Sequence, residues 1–281
     1  MNASAPTPDW LIPEWPAPVT VRALSTSRWG GMSTPPYASL NLGGHVGDSP
    51  KAVAENRRRL VEAARLPAEP RWLMQVHGTA VADLDAAAHL DAAADLDAAA
   101  DLDTVTDVGG AGRVEARGSM GPADACFTRR PHRVCAILTA DCMPILLAAE
   151  SGDLVAAVHA GWRGLAGGVI EALVGALPAP PARLMAWLGP AIGPQHFEVG
   201  AEVREALLRQ DSGAGEAFVQ NARGRFMADL GKLARRRLET SGVRRIYGGG
   251  RCTFAEADRF FSHRRDGVTG RQATLIWLDF G

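Results

Sequence analysis

The stretch VCAILTADCMPILLAAESGDLVAAVHAG, residues 134–161, constrains the fold more than any other part of the chain. Two short apolar runs, 144–150 and 154–159, flank the turn signal ESGD. Runs of this length predict strands, and so short a link makes them an antiparallel hairpin. With Ser151 and Gly152 as the central turn residues, Glu150 pairs with Asp153. Counting outward sets Pro144 opposite His159 and Cys142 opposite Gly161. Cys142 and His159 therefore share one end of one hairpin, where chains leave a sheet and functional groups collect.

The same runs are apolar apart from their last residues, Glu150 and His159, so the sheet they build must be covered on both faces. Candidate covers follow from helical spacing and cap signals. Ser49 reads as an N-cap with Pro50 in the first turn, predicting a helix over 50–65. Leu165, Val169, Ile170, Leu173 and Leu177 predict one helix over 164–177. Helices are also expected at 201–210 and 229–240. Further strands are expected at 19–26, 72–77, 134–138, in RLMAWLGP, and in the C-terminal ATLIWLDF. Mixed strands and helices in a chain of 281 residues, 47% of them hydrophobic, predict one α/β (α+β) domain over 1–281.

Residues 83–103 break this pattern with a DLDAAA repeat in which His89 replaces one aspartate. A six-residue period cannot keep an apolar seam on one helix face. The repeat reads as a low-complexity insertion in a surface loop, without chemistry.

Charge and cysteine usage exclude several function classes. The formal net charge is −1, and RRRL and ARRRL lie in helical patterns, so no nucleic-acid footprint is expected. No run of 18 apolar residues predicts a membrane span, and the Pro-rich N-terminus lacks the grammar of a signal peptide. Four cysteines without CxxC spacing suggest free thiols in a reducing cytoplasm. A monomer is expected.

His77 in QVHG repeats the local grammar of His159: an apolar run, a histidine, then a glycine. His77, Cys142 and His159 together form a candidate metal and catalytic set. Two imidazoles and a thiolate suit Zn²⁺ and leave a fourth position open, and the same set accepts copper. Each residue alone reads equally well as a core side chain. Cys142 with His159 also reads as a thiol nucleophile and its base.

QVHG, TADCMPILL, VAAVHAGWRG, LGPAIGP, FEVG, RCT and FFSHRRDGVTGRQA occur in this order, together with SLNLGGHVGD and ENRRRL. In these motifs the chain resembles the YfiH-type family, whose members are called laccase-domain proteins, polyphenol oxidases or purine nucleoside phosphorylases. The resemblance runs from Trp10 to Leu278, apart from the insertion. It implies a single sandwich domain with central mixed sheets covered by helices, similar to the cytotoxic necrotising factor catalytic domain. It implies a zinc or copper site at His77, Cys142 and His159. The activities it implies are phosphorolysis of adenosine, inosine and methylthioadenosine, with adenosine deamination alongside. Small-molecule nucleoside and phosphate would be the partners. Editing of peptidoglycan precursors and copper-dependent phenol oxidation are further activities linked to the family, and a metal- or nucleotide-binding protein without turnover is the non-enzymatic alternative.

Substrate-contact candidates are Arg28, Asn41 and His45 in the long N-terminal loop, with Gln75, Arg163 and Arg264. Arginine suits phosphate because its planar fork donates two parallel bonds. Gln75 would share a strand face with His77. His263 stands where the family commonly has tyrosine.

Overall fold

The computed structural model describes residues 9–86 and 121–281. Two large sheets lie face to face. One has four strands in the order β1 (Val21–Ser25), β13 (Gln272–Leu278), β5 (Val134–Thr139) and β2 (Arg71–Trp72). The other has six: β12 (Arg245–Gly248), β8 (Leu184–Leu188), β6 (Met143–Ala149), β7 (Val155–Ala160), β4 (Ala125–Thr128) and β3 (Val81–Asp83). A small third sheet joins β10 (Phe218–Gln220), β11 (Phe226–Ala228) and β9 (Glu198–Val199). Both large sheets are mixed, with parallel pairs β2·β5, β12·β8 and β3·β4 among antiparallel ones.

Strand period 2 sorts the apolar side chains into three layers. Leu146, Ala148, Val155, Ala157, Cys126, Met185 and Trp187 meet Cys135, Ile137, Ile276 and Leu278 between the two sheets. The opposite faces of β6 and β7, Ile145, Leu147, Ala156 and Val158, pack on four helices. These are α2 (Trp162–Gly167), α3 (Val169–Ala176), α4 (Ala201–Gln210) and α5 (Leu230–Thr240). Beyond the four-stranded sheet, Val134, Ala136, Leu138, Leu275 and Trp277 pack on Leu60 of α1 (Pro50–Ala64). The result is a helix–sheet–sheet–helix sandwich, the single-domain α/β class expected, and it explains why the central strands are apolar throughout.

The hairpin has the expected register. Pro144 faces His159, Ile145 faces Val158, and Gly152 N–H closes the turn on the Ala149 carbonyl at 3.0 Å. The strand runs one residue past His159, to Ala160.

Three expectations need correction. The helix expected over 164–177 is two, α2 and α3, because Gly168 takes φ +90°, ends α2 and starts α3. Glycine enters that region without steric cost, and periodicity carries no trace of it. The strand expected over 72–77 ends at Trp72. His77 has φ +60° and sits in a loop, not at a strand end. Gln75, expected to share a strand face with His77, therefore lies in that loop and not in a strand. Of the insertion expected over 83–103, only residues 83–86 are described. Asp83 ends β3, Leu84 is buried between the sheets, and the Asp85 carboxylate accepts bonds from Thr128 Oγ1 (2.6 Å) and Arg129 N–H (2.9 Å). Residues 87–103 lie outside the described residues.

Candidate metal centre

His159 lies on the same face of β7 as Val155 and Ala157, so its ring enters the layer between the sheets at the layer's end. Cys142 precedes β6, and His77 arrives on its loop. Their three ligand atoms all lie within 4.8 Å of one another. Cys142 Sγ is 3.8 Å from His77 Nε2, and the two imidazole rings meet edge to face with centroids 4.7 Å apart. Depth is graded: His159 is buried, Cys142 half-buried and His77 exposed. Access is therefore from the His77 side.

Asp124, fully buried just before β4, organises this cluster. Its Oδ1 lies 2.8 Å from His159 Nδ1, which leaves Nε2 as the nitrogen free for a ligand role. The same carboxylate accepts the main-chain N–H groups of Val76 (3.2 Å), His77 (3.0 Å) and Gly78 (2.6 Å). One side chain thus orients one imidazole and holds the left-handed loop that presents the other. The Asp124 carbonyl also accepts the His159 N–H at 2.7 Å. Burial pushes the Asp124 carboxyl up, but His159 and the Gly78 and Val76 N–H groups outweigh it and hold the group below its usual range. Sequence reasoning missed Asp124. It sits 35 residues from His159, beside a strand that carried no periodic signal.

Charge is strongly shared between Cys142 and His159. Burial opposes the thiolate, but the His159 and His77 imidazoles bring the Cys142 thiol down to about 6. Burial likewise opposes the imidazolium, but the Cys142 thiolate and Asp124 raise His159 to about 9. The thiolate is lost as pH falls through about 6, and the imidazolium as pH rises through about 9. The ion pair therefore stabilises the metal-free fold most between these values. Alkylation of Cys142 in chelator-treated protein is expected to rise to half its maximum near pH 6, which a pH series of peptide-resolved labelling reads. A midpoint at the ordinary thiol value would remove the imidazole pairing.

Gly161 leaves room for the triad. A Cβ there would lie 2.7 Å from Cys142 Sγ and 3.2 Å from His77 Cδ2. Its φ is −71°, so alanine meets no backbone strain, only the Cys142 thiol and the edge of the His77 ring. Gly161→Ala is expected to cost about 1–3 kcal/mol of stability and tenfold or more in metal affinity, read by thermal unfolding and chelator competition. Wild-type affinity would show that the thiol moves aside freely.

The other candidates fall into two groups. Asn41 and Gln75 spend their amides on the fold. Asn41 bonds Gly43, Asp48 and the Arg271 N–H, and Gln75 brackets Leu138 with two 2.8 Å bonds. Arg28 donates to the Ala38 and Ala257 carbonyls and lies over the Phe261 ring. Arg163 is exposed and rests on Trp162. Arg264 is exposed and donates to the Glu198 carbonyl. His45 lies within electrostatic reach of the triad. Burial, then Arg271, Arg57, His159 and His77, hold its imidazole below the usual range. Arg271, absent from the expected contacts, is held below its usual value by burial, against the opposing pull of Cys142 and Asp141. A surface cavity of about 500 Å³ lies along α1 at Gly44, Val53, Arg57 and Val61, and no residue of the triad lines it. Arg57 there is committed to the Leu42 carbonyl, so donor chemistry locates the site better than cavity size does.

Two sheets packed face to face between helices, with a nitrogen–sulfur donor triad at the end of the layer between them, define a class of sandwich proteins with a candidate metal centre. The chain belongs to the family described as multi-copper polyphenol oxidoreductase laccase, whose model matches residues 22–279. Similar curated proteins include a purine nucleoside phosphorylase of Pseudomonas aeruginosa, 48% identical over 96% of this chain and 98% of that one. The purine nucleoside phosphorylase YfiH of Escherichia coli is 46% identical over 95% and 98%. Among solved structures, a Neisseria meningitidis protein matches with a TM-score of 0.82 and 43% identity, over 96% of this chain and 99% of that one. YlmD from Geobacillus stearothermophilus matches at 0.80 and 32%, over 98% of each chain.

Proposed function

We propose that the chain is a metal-dependent purine nucleoside phosphorylase that also deaminates adenosine. Its substrates would be adenosine, inosine or methylthioadenosine with phosphate, its working form a monomer, and its place the cytoplasm. Relatives named purine nucleoside phosphorylase support this along nearly the whole chain. The observation that carries it is the convergence of His77, Cys142 and His159 on one point, backed by the Asp124 carboxylate.

Two imidazole nitrogens and a low-pKa thiolate fit zinc. Bound there, zinc would supply Lewis-acid polarisation of a substrate oxygen or nitrogen. The chain's own groups have separate tasks. Phosphorolysis needs phosphate delivered to the ribose C1′ and a proton or a polarising group at the departing base. Arg28, Arg163 and Arg264 are the proposed phosphate and ribose contacts, and His45 the proposed proton donor to the base. Asn41 and Gln75 hold their loops in place. Asp124 keeps His159 in one tautomer. Among the described residues, one three-ligand group stands where several copper centres would need more donors, so phenol oxidation is the weaker reading.

Phosphate-dependent release of adenine and ribose 1-phosphate from adenosine, measured beside elemental analysis of the purified protein, tests the proposal. Turnover that needs phosphate and falls on chelation supports it. The low-pKa Cys142 beside His159 favours a second reading, a cysteine hydrolase. Amide hydrolysis that survives chelators would select that reading.

A further inference from the structure

We propose that Asp141 is the positioning residue for the Cys142 thiol. The inference rests on the metal-dependent reading above and extends it to the residue that aims the sulfur. Cys142 has no regular structure of its own. It follows β5 by three residues and precedes β6 by one, so the backbone angles of Asp141 decide where its side chain points. Asp141 has φ +101°, outside the regions where side chains sit comfortably. Glycine would adopt that angle at no cost. An aspartate there must be held by its side chain, and it is.

Asp141 Oδ1 accepts the Thr253 hydroxyl at 2.7 Å, and Oδ2 accepts the Arg264 N–H at 2.6 Å. Its carbonyl accepts the Ile192 N–H at 2.9 Å. Thr253 is fully buried and Asp141 is 9% exposed. Three segments remote in sequence therefore converge on this one residue. They carry LGPAIGP, RCT and FFSHRRD, motifs to which the triad itself assigns no task. The last forms the short helix α6 (His263–Asp266), which carries the proposed substrate contact Arg264. The knot makes the thiol's position depend on the segments around it, and it sets the thiol and Arg264 relative to each other. No bond from the Asp141 carboxylate to a triad side chain is needed for this.

Asp141→Gly keeps the backbone angle accessible and removes both cross-bonds. Asp141→Asn tolerates the same angle, still accepts the Arg264 N–H, and can donate to Thr253 Oγ1 in reverse. Thr253→Val deletes one bond and leaves Asp141 intact. Two readouts need no nucleoside: the iodoacetamide alkylation rate of Cys142 in chelator-treated protein at neutral pH, and zinc affinity by chelator competition. Asp141→Gly is expected to lose about tenfold or more in both, with Asp141→Asn within about threefold of wild type and Thr253→Val in between. Where Asp141→Gly fails to fold, the ordering of Thr253→Val below Asp141→Asn carries the test. Wild-type values in Asp141→Gly, or equal losses in all three variants that track only their melting temperatures, would overturn the proposal. A wild type that alkylates and binds zinc as expected but does not cleave nucleosides would reject the activity and leave the positioning role standing.

Discussion

Cys142→Ala protein is expected to fold normally, to bind less than a tenth of the wild-type zinc, and to lose nucleoside turnover by about 10³-fold or more. The fold should tolerate the change because Cys142 is half-buried and lies outside the three apolar layers. The centre should not, because among the described residues sulfur is one of three protein donors that lie within 4.8 Å of one another. Removing it leaves two imidazoles, and the charge balance shifts too. His159 owes its elevation partly to the thiolate, so in the variant its imidazole should titrate at lower pH. Metal content by elemental analysis, phosphorolysis rate and the near-ultraviolet circular dichroism spectrum separate these effects. Full activity in a folded Cys142→Ala protein would end the assignment of the triad.

Asp124→Ala should damage both fold and site. Four donors lose their acceptor at once: the His159 ring N–H and the main-chain N–H groups of Val76, His77 and Gly78. A buried imidazolium left without its carboxylate, together with three part-buried N–H groups left unpaired, costs about 3–5 kcal/mol in total. That corresponds to a fall of about 5–9 °C in melting temperature for a chain of this size. The surviving folded protein should bind metal about 10–100-fold more weakly, because the His77 loop loses its anchor and His159 its tautomer. Asp124→Asn distinguishes the two roles. Its amide keeps the shape and one acceptor, so much of the stability should return while metal affinity stays low. Restoration of both to wild-type values would make the carboxylate charge irrelevant.

These two variants mark how much was legible. Cys142 and His159 could be paired from sequence because only a short turn separates their strands. A hairpin converts sequence spacing into spatial register by counting residues. The layered α/β class followed from strands apolar on both faces, since such strands must lie between two covers. His77 was identified as a ligand type, but its setting was misread. Its apolar neighbours imitate a strand, whereas a left-handed residue held by a remote carboxylate forms a loop. The single helix expected after His159 failed for a related reason. Gly168 takes a backbone angle that the spacing of apolar residues cannot register.

From the sequence by itself, then, come the hairpin, its register, the apolar layers and the donor types at their ends. All of these rest on interactions local in the chain or repeating along it. Only the tertiary structure decided that Asp124 joins His159 to the 76–78 loop, and that Asp141 ties Cys142 to Thr253 and Arg264. The Asp141 bonds span 112 and 123 residues. A carboxylate has no periodicity, and four of the six partners of these two are main-chain N–H groups, which every non-proline residue possesses. Such a bond leaves no pattern in the sequence, and it becomes visible only when the sheets have packed and brought the segments together.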